Sequence, residues 1–388
     1  MKILIILLLI ISVIDPQDLL FGLKVPLFII IWIFFLIDIL LSKKCIVFNK
    51  QQLFYIFIFS FLMPVYSSFV GIINQNVNFS ELYQAYKPFL FLTITIILSN
   101  YDIDLVPVLS KTLLGISIMT IIFRVLVINN PNLFSLLYQW GNKYGIYTFT
   151  VRNYAFWQIN AVYFHTMPLI VIALAYYCRQ AQIVKHKLII MNIISILIIF
   201  LAMIIAGTRN TIIMSILIPV LIYYWYSPKK TILTIQLAFF ITVIIIIFRK
   251  IIISMISIDD ISNYIKLQHY RDIIKLLSQT KILLFGQGLG TKFFSEARQR
   301  EVKTIELTYL DILRKFGFII GLAYIIMLLI PIKKLFNKKY SYDHYLYIGY
   351  IGYLIMSFSN PFIFSSSGML VLSIILYTYY RKSSFQKE

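Results

Sequence analysis

Acidic residues are scarce in this 388-residue chain: 15 Asp plus Glu stand against 35 Lys plus Arg. Charge of either sign makes up only 13% of it. A soluble domain of this length carries about 25% charged residues to keep a wet surface, so that class is excluded. Cysteine is nearly absent, with only Cys45 and Cys178, and a disulfide scaffold is excluded with it. The four histidines, His165, His186, His269 and His344, are scattered and form no metal-ligand spacing. No Walker motif, nucleotide-binding loop or serine nucleophile elbow occurs. Any chemistry would therefore draw on a preactivated substrate, with no cofactor. Repeats, low-complexity tracts and a separate soluble domain are also missing.

What fills the space is apolar. Hydrophobic residues are 60% of the chain and the mean hydropathy is +0.87. Continuous apolar runs recur from end to end, many of about 18 to 20 residues, long enough to cross a bilayer as helices. A membrane barrel would show shorter alternating segments of about 10 residues. The fold class expected is all-α: one polytopic membrane domain over 1–388 with twelve helices, near 3–14, 25–41, 53–72, 84–99, 105–128, 158–178, 188–206, 210–226, 231–248, 316–332, 344–359 and 365–380. Residues 1–14 lead into Asp15-Pro16-Gln17-Asp18 with no small-residue cleavage pattern, so they read as the first helix and not as a signal peptide.

The formal charge of +20 suggests nucleic acid only in a soluble protein. Here Lys and Arg mark the cytoplasmic ends of helices. With the N-terminus inside, those ends carry Lys43, Lys44 and Lys50; Arg179, Lys185 and Lys187; Lys229 and Lys230; Lys333, Lys334, Lys338 and Lys339; and Arg381 and Lys382. Both termini are then cytoplasmic and both cysteines are free thiols. Two segments fall outside: 129–157, rich in Asn, Tyr and Trp, and the large polar loop 249–315. Within the latter, "ISNYIKLQHYRDIIKLLSQ" has the spacing of an amphipathic surface helix. "FGQGLG" is a glycine turn, and "TIELTYLDILRKFG" reads as a second short amphipathic helix.

Five cations break the orientation rule. Arg209 sits in the tight turn "AGTRNTI", Lys87 in "QAYKPFLF", Arg124 in "IIFRVL", Arg152 in "TVRNYAF" and Arg271 in "QHYRDII". Singly, each has an ordinary explanation, a snorkelling side chain or a solvated loop charge. Together at one face they ask for an anion. Arginine's planar fork matches phosphate oxygens bidentately, and a pyrophosphate carried on a lipid satisfies charge, position and depth. Backbone donors of the Gly286, Gly288, Gly290 turn are further candidates for that anion. Glu306 opens the helix before the tenth span. It reads either as an acidic residue on a helix dipole or as a carboxylate that accepts a proton beside the cations. Tyr309, one turn on, either orients a substrate or sits in the interface.

These residues resemble a known family. "AGTRNTIIMS" is similar to the small-small-Ser/Thr-Arg turn of O-antigen polymerases and O-antigen ligases. It is followed by Arg271 in the large loop, a G-x-G-x-G turn, "YLDILRKFGFIIG" and the closing "SFSNPFIFSSSGMLVL". Ligases usually carry His-Asn where this chain has Ile305-Glu306-Leu307, which favours polymerase. The resemblance implies an inner-membrane, metal-independent glycosyltransferase whose donor is an undecaprenyl-pyrophosphate-linked oligosaccharide and whose acceptor is another lipid-linked repeat unit. It gives catalytic roles to Glu306, Arg209 and Arg271, and pyrophosphate contacts to Lys87, Arg124, Arg152 and Gly288. A chain-length regulator and a flippase are the expected partners, and nucleic acid is not. The alternatives are the ligase that moves finished glycan to lipid A core and, from another class, a flippase for the lipid-linked repeat. A flippase should carry charge deep inside several helices. Here mid-helix positions are almost all apolar.

Overall fold

The computed structural model describes residues 1–42, 49–75, 77–154, 157–184, 187–228, 261–337 and 343–381. The first helices are α1 (Lys2–Ile14), α2 (Lys24–Ser42), α3 (Lys50–Gln75), α4 (Phe79–Tyr101), α5 (Val106–Asn129) and α6 (Pro131–Tyr144). A hairpin of β1 (Tyr147–Tyr154) and β2 (Trp157–Phe164) follows. Next come α7 (Ile170–Ile183), α8 (Lys187–Ile205) and α9 (Arg209–Tyr226), then α10 (Ile261–Leu277) and α11 (Thr280–Phe285). A second small hairpin, β3 (Phe293–Ser295) and β4 (Arg300–Val302), precedes α12 (Thr308–Phe316), α13 (Phe318–Phe336), α14 (His344–Ser357) and α15 (Ser366–Tyr380). The expected span 231–248 lies outside the described residues, as does Cys45; Cys178 is a buried free thiol.

Among the described residues, α2, α3, α4, α5, α8 and α13 are long and apolar enough to cross a membrane, compatible with a multi-pass membrane protein. Helix α2 shows the pattern. Its buried stripe is Lys24, Leu27, Ile31 and Phe35, a helical face at three- and four-residue steps. The opposite face leaves Ile33, Phe34, Leu36, Leu40 and Leu41 exposed. In water such a contiguous apolar face would drive association; against lipid it has no cost.

The chain divides into two compact units. The first comprises Met1–Val108, Ile265–Tyr347 and Ser357–Glu388. Its core is aromatic: Tyr324 stacks on Phe316 at 5.2 Å between ring centroids and lies 4.3 Å from Phe59, with Phe89 and Phe364 around them. The acidic turn after α4 is tied down by Arg381, whose guanidinium lies 3.1 Å from the Asp102 carboxylate.

The second unit comprises Leu109–Tyr264 and Ile348–Met356. Residues 129–157, expected as an outside segment between two spans, hold regular structure of their own: Pro131–Tyr144 is helical and Tyr147–Tyr154 is a strand. One expectation is corrected, since residues 158–178 are not one helix: Trp157–Phe164 pairs antiparallel with β1, Tyr147 opposite Phe164, and helix begins only at Ile170. The cause is visible in "YTFTVRNY", where β-branched and aromatic residues alternate at period two. Tyr147 and Phe149 are buried while Thr150 is exposed. Tyr147 anchors the hairpin, packing on Phe123, Trp140 and Phe164 and donating its hydroxyl to the Leu137 carbonyl at 3.0 Å. Gly141 lets it in, since a Cβ there would meet the Tyr147 ring at 2.5 Å.

Candidate functional site

The polar mass of the first unit lies in residues 265–316, assembled around α12. This is the short amphipathic helix expected, and its charged residues are buried along with Ile312 and Phe316. Asp311, Arg314 and Lys315 are all inside, at three- and four-residue steps on one face. Arg314 Nε lies 2.8 Å from Asp311 Oδ1, and Lys315 Nζ lies 2.7 Å from Asp311 Oδ2. Arg314 spends the rest of its fork on the loop before it. It donates to Gln287 Oε1 at 2.6 Å, to Thr291 Oγ1 at 3.3 Å and to the Lys303 carbonyl at 2.9 Å, and it lies over the Phe293 ring. Lys315 Nζ stands 4.2 Å from the centroid of Phe364. Burial alone would raise the Asp311 carboxyl, but the two cations outweigh it and hold it below the usual carboxylate range. Burial pulls the Lys315 ammonium below its ordinary value, although Asp311 opposes this.

The glycine turn completes this assembly. The N–H groups of Gln287, Gly288 and Leu289 donate to the carbonyls of Arg314, Lys315 and Ser67 at 2.6, 3.1 and 2.9 Å. Gly288 has φ +103°, and a Cβ on it would meet the Gly71 nitrogen at 2.1 Å. Its donor is therefore spent on packing against α3 and α12 and is not presented to an anion, a correction to the role expected for Gly288.

Below this layer α10 packs on the β3–β4 hairpin through Ile273, Leu277, Phe293, Val302 and Ile305. His269, one turn before Ile273, is fully buried, and neither ring nitrogen has a hydrogen-bond partner among the described residues. Burial pulls its pKa below the ordinary 6.5 and Arg298 adds to this, while Glu306, Asp272 and Asp311 pull the other way.

Glu306 lies in the loop before α12 and not within the helix, which starts at Thr308 behind Leu307. It therefore does not open the helix as expected. Its carboxylate is held loosely by Lys266 at 3.8 Å and Arg298 at 3.7 Å, all three side chains about one-third exposed. Such open pairs are worth about 0–1 kcal/mol each, so carboxylate and cations can turn to a ligand at little cost. Neighbouring charges are tied more closely: Glu81 holds Lys292 at 2.9 Å and Lys303 at 3.1 Å. Tyr309 packs on Phe358, and burial pushes its hydroxyl up to about 12.

Of the other expected residues, Arg271 shares α10 with Lys266 and His269, and the rest lie on other elements. Arg271 is exposed on α10 and makes no ion pair or hydrogen bond among the described residues. Arg209 is the first residue of α9, behind the Thr208 cap, and its guanidinium donates to the Asn263 side chain near the start of α10. Arg124 is half-buried on α5, and its Nη1 has no hydrogen-bond partner among the described residues. Arg152 lies on β1 opposite Ile159 in the register, and its side chain is outside the described part. Lys87 is half-buried near the start of α4, without hydrogen bond or ion pair among the described residues. Sequence reasoning missed Lys266, Arg298 and His269 as neighbours of Glu306. The helical spacing of Lys266, His269 and Ile273 was the available signal for one shared face. Comparison with protein-family models, with curated proteins and with solved structures gives no match for the chain.

Proposed function

We propose that the chain is a multi-pass membrane glycosyltransferase of the O-antigen polymerase type, acting on polyprenyl-pyrophosphate-linked glycans. The observation that carries the reading is the partly exposed Glu306 carboxylate held loosely between Lys266 and Arg298, with exposed Arg271, which has no ion pair among the described residues, on the same helix as Lys266. A partly exposed carboxylate with two cations at loose ion-pair distance suits a reaction in which a proton is taken up and a polyanion departs. In the proposed step an acceptor hydroxyl oxygen attacks the donor's anomeric carbon. The bond from that carbon to the pyrophosphate oxygen breaks, and the lipid pyrophosphate leaves with the electron pair. Glu306 accepts the hydroxyl proton. Arg271, with Arg298, stabilises the charge growing on the leaving group. In this reading both termini face the cytoplasm and residues 249–315 face the other side of the inner membrane.

The test uses the lipopolysaccharide ladder of a deletion strain complemented with variants, and turnover of the purified protein with a lipid-linked repeat. Loss of a positioned base should lower turnover about 10²–10⁴-fold in Glu306→Gln, with donor binding unchanged. Arg271→Ala should weaken donor binding itself, and Arg271→Lys should rescue only part of it, since a point charge lacks the fork. Normal ladders from Glu306→Gln and Arg271→Ala at normal expression would end this reading.

A further inference from the structure

Helices α2, α3 and α4 enclose a groove of about 380 Å³, within the size range of ligand pockets. Its walls are apolar: Phe28 and Trp32 from α2, Leu53, Phe57 and Phe61 from α3, and Leu90, Thr93 and Ile96 from α4 among them. Two of the three helices lose regular geometry at this level. Helix α3 widens into a π turn over Ile58–Leu62, and α4 tightens into a 3₁₀ turn over Phe91–Thr93, just after Pro88. Inserted π turns displace a helix wall and recur at functional sites. The groove opens sideways, since Phe57 and Phe61 on its rim are 56% and 40% exposed on membrane-length helices.

One end of the groove is cationic. Lys87 precedes Leu90 by one turn on α4, and Lys24 precedes Phe28 by one turn on α2. The two ammonium groups are near enough to repel. Lys24 is committed: it is buried, donates to the Pro16 carbonyl at 2.6 Å and to Ser366 Oγ at 3.1 Å, and has Asp15 and Asp18 as nearby counter-charges. Lys87 is half-buried and has no hydrogen bond or ion pair among the described residues. An apolar slot with one uncommitted amine at its end matches an amphiphile with a hydrocarbon tail and a single negative charge. A pyrophosphate would need more donors than this end can spare.

We propose that this groove is a binding site for an anionic glycerophospholipid, with one acyl chain between α2, α3 and α4 and the phosphodiester on Lys87. The lipid steadies the helices at their irregular turns and is not a reactant, so the site stands whether or not the chain is a glycosyltransferase.

Trp32 in the groove wall reports occupancy. The full chain, with Trp140, Trp157 and Trp225 replaced by Phe, is placed in phosphatidylcholine nanodiscs containing a minor fraction of lipid with brominated acyl chains. Brominated phosphatidylglycerol should quench Trp32 with an apparent affinity about fivefold above that of brominated phosphatidylcholine, the factor for one lysine worth about 1 kcal/mol at the headgroup. Lys87→Gln should abolish this preference, and Thr93→Phe, which fills the groove, should reduce quenching by both lipids. Equal quenching by the two lipids, or a preference that survives Lys87→Gln, would mean ordinary boundary lipid and overturn the proposal. Displacement of brominated phosphatidylglycerol by undecaprenyl phosphate at low mole fraction would also overturn it, assigning the groove to a carrier lipid. If the single-tryptophan chain does not fold, native mass spectrometry of the unsubstituted protein decides. Retained phosphatidylglycerol adducts that vanish in Lys87→Gln support the site, and adducts unchanged by that substitution refute it.

Discussion

At the scale of single residues, burial separates two kinds of arginine. Arg314 has no exposed side-chain surface and reaches an aspartate, a glutamine, a threonine and a backbone carbonyl. Its removal would strand the Asp311 carboxylate beside Lys315 and leave the glycine turn without its anchor. Breaking a buried pair costs about 3–5 kcal/mol. Arg271 is exposed and unpaired among the described residues, and an exposed substitution of that kind costs within about 0.5 kcal/mol. Thermal unfolding of the detergent-solubilised protein should therefore place Arg314→Ala far below the unsubstituted chain and Arg271→Ala beside it. Equal melting of the two variants would show that the Arg314 network stabilises nothing. The same contrast makes Arg271 a clean probe of ligand binding, because its loss should not disturb folding.

At the scale of elements, α10, the β3–β4 hairpin and α12 form one small polar assembly whose contacts depend on protonation. His269 is buried with its folded pKa below 6.5, so the unfolded chain binds the proton more readily. Stability is lost as pH falls through 6.5 toward the folded value. The Asp311 carboxyl is also depressed, below its ordinary 3.8, so its contribution is present above that value and lost in stronger acid. The groups facing His269 are Arg298, Asp272, Glu306 and Asp311; the cation adds to the shift, and the carboxylates oppose it. Hydrogen exchange of residues 265–316 should accelerate from just below pH 6.5 downward, after correction for intrinsic rates, while α13 exchanges unchanged. His269→Phe should remove the first part of this acid response and leave the part near the carboxylate range. A pH-independent ratio between the assembly and α13 would refute the account.

At the scale of the whole molecule, the proposed orientation has residues 249–315 on the side opposite the termini, as expected from the positive-inside pattern. Lys281 on α11 is exposed and suits a tag. In a chain with Cys45 and Cys178 replaced by Ser, Lys281→Cys should react with an impermeant maleimide in intact spheroplasts, and a cysteine added at the C-terminus should react only after permeabilisation. The reverse labelling would invert the orientation and remove the basis for a lipid-linked donor on that face.

What composition and periodicity determined by themselves are the membrane-length helices and the two short helices of the polar loop. Runs of Leu, Ile and Phe need no distant partner to prefer a helix in lipid, where every backbone group must be satisfied within its own segment. The spans near 25–41, 53–72 and 105–128 therefore appear within a few residues of the observed α2, α3 and α5. The β1–β2 hairpin was legible only as alternation in "YTFTVRNY", which a long apolar run on its far side obscured. Tertiary structure alone decided the fate of the charges. Whether Arg314 lies inside depends on Gln287, Thr291 and the Lys303 carbonyl, 27, 23 and 11 residues away. Whether Gly288 offers a donor depends on the Lys315 carbonyl, and its need to be glycine depends on Gly71. Lys266 and Arg298 reach Glu306 because the packing of α10 on the β3–β4 hairpin holds them there. A charge in a sequence has no dielectric and no neighbour until the chain has folded around it, and both are set by residues far from it along the chain.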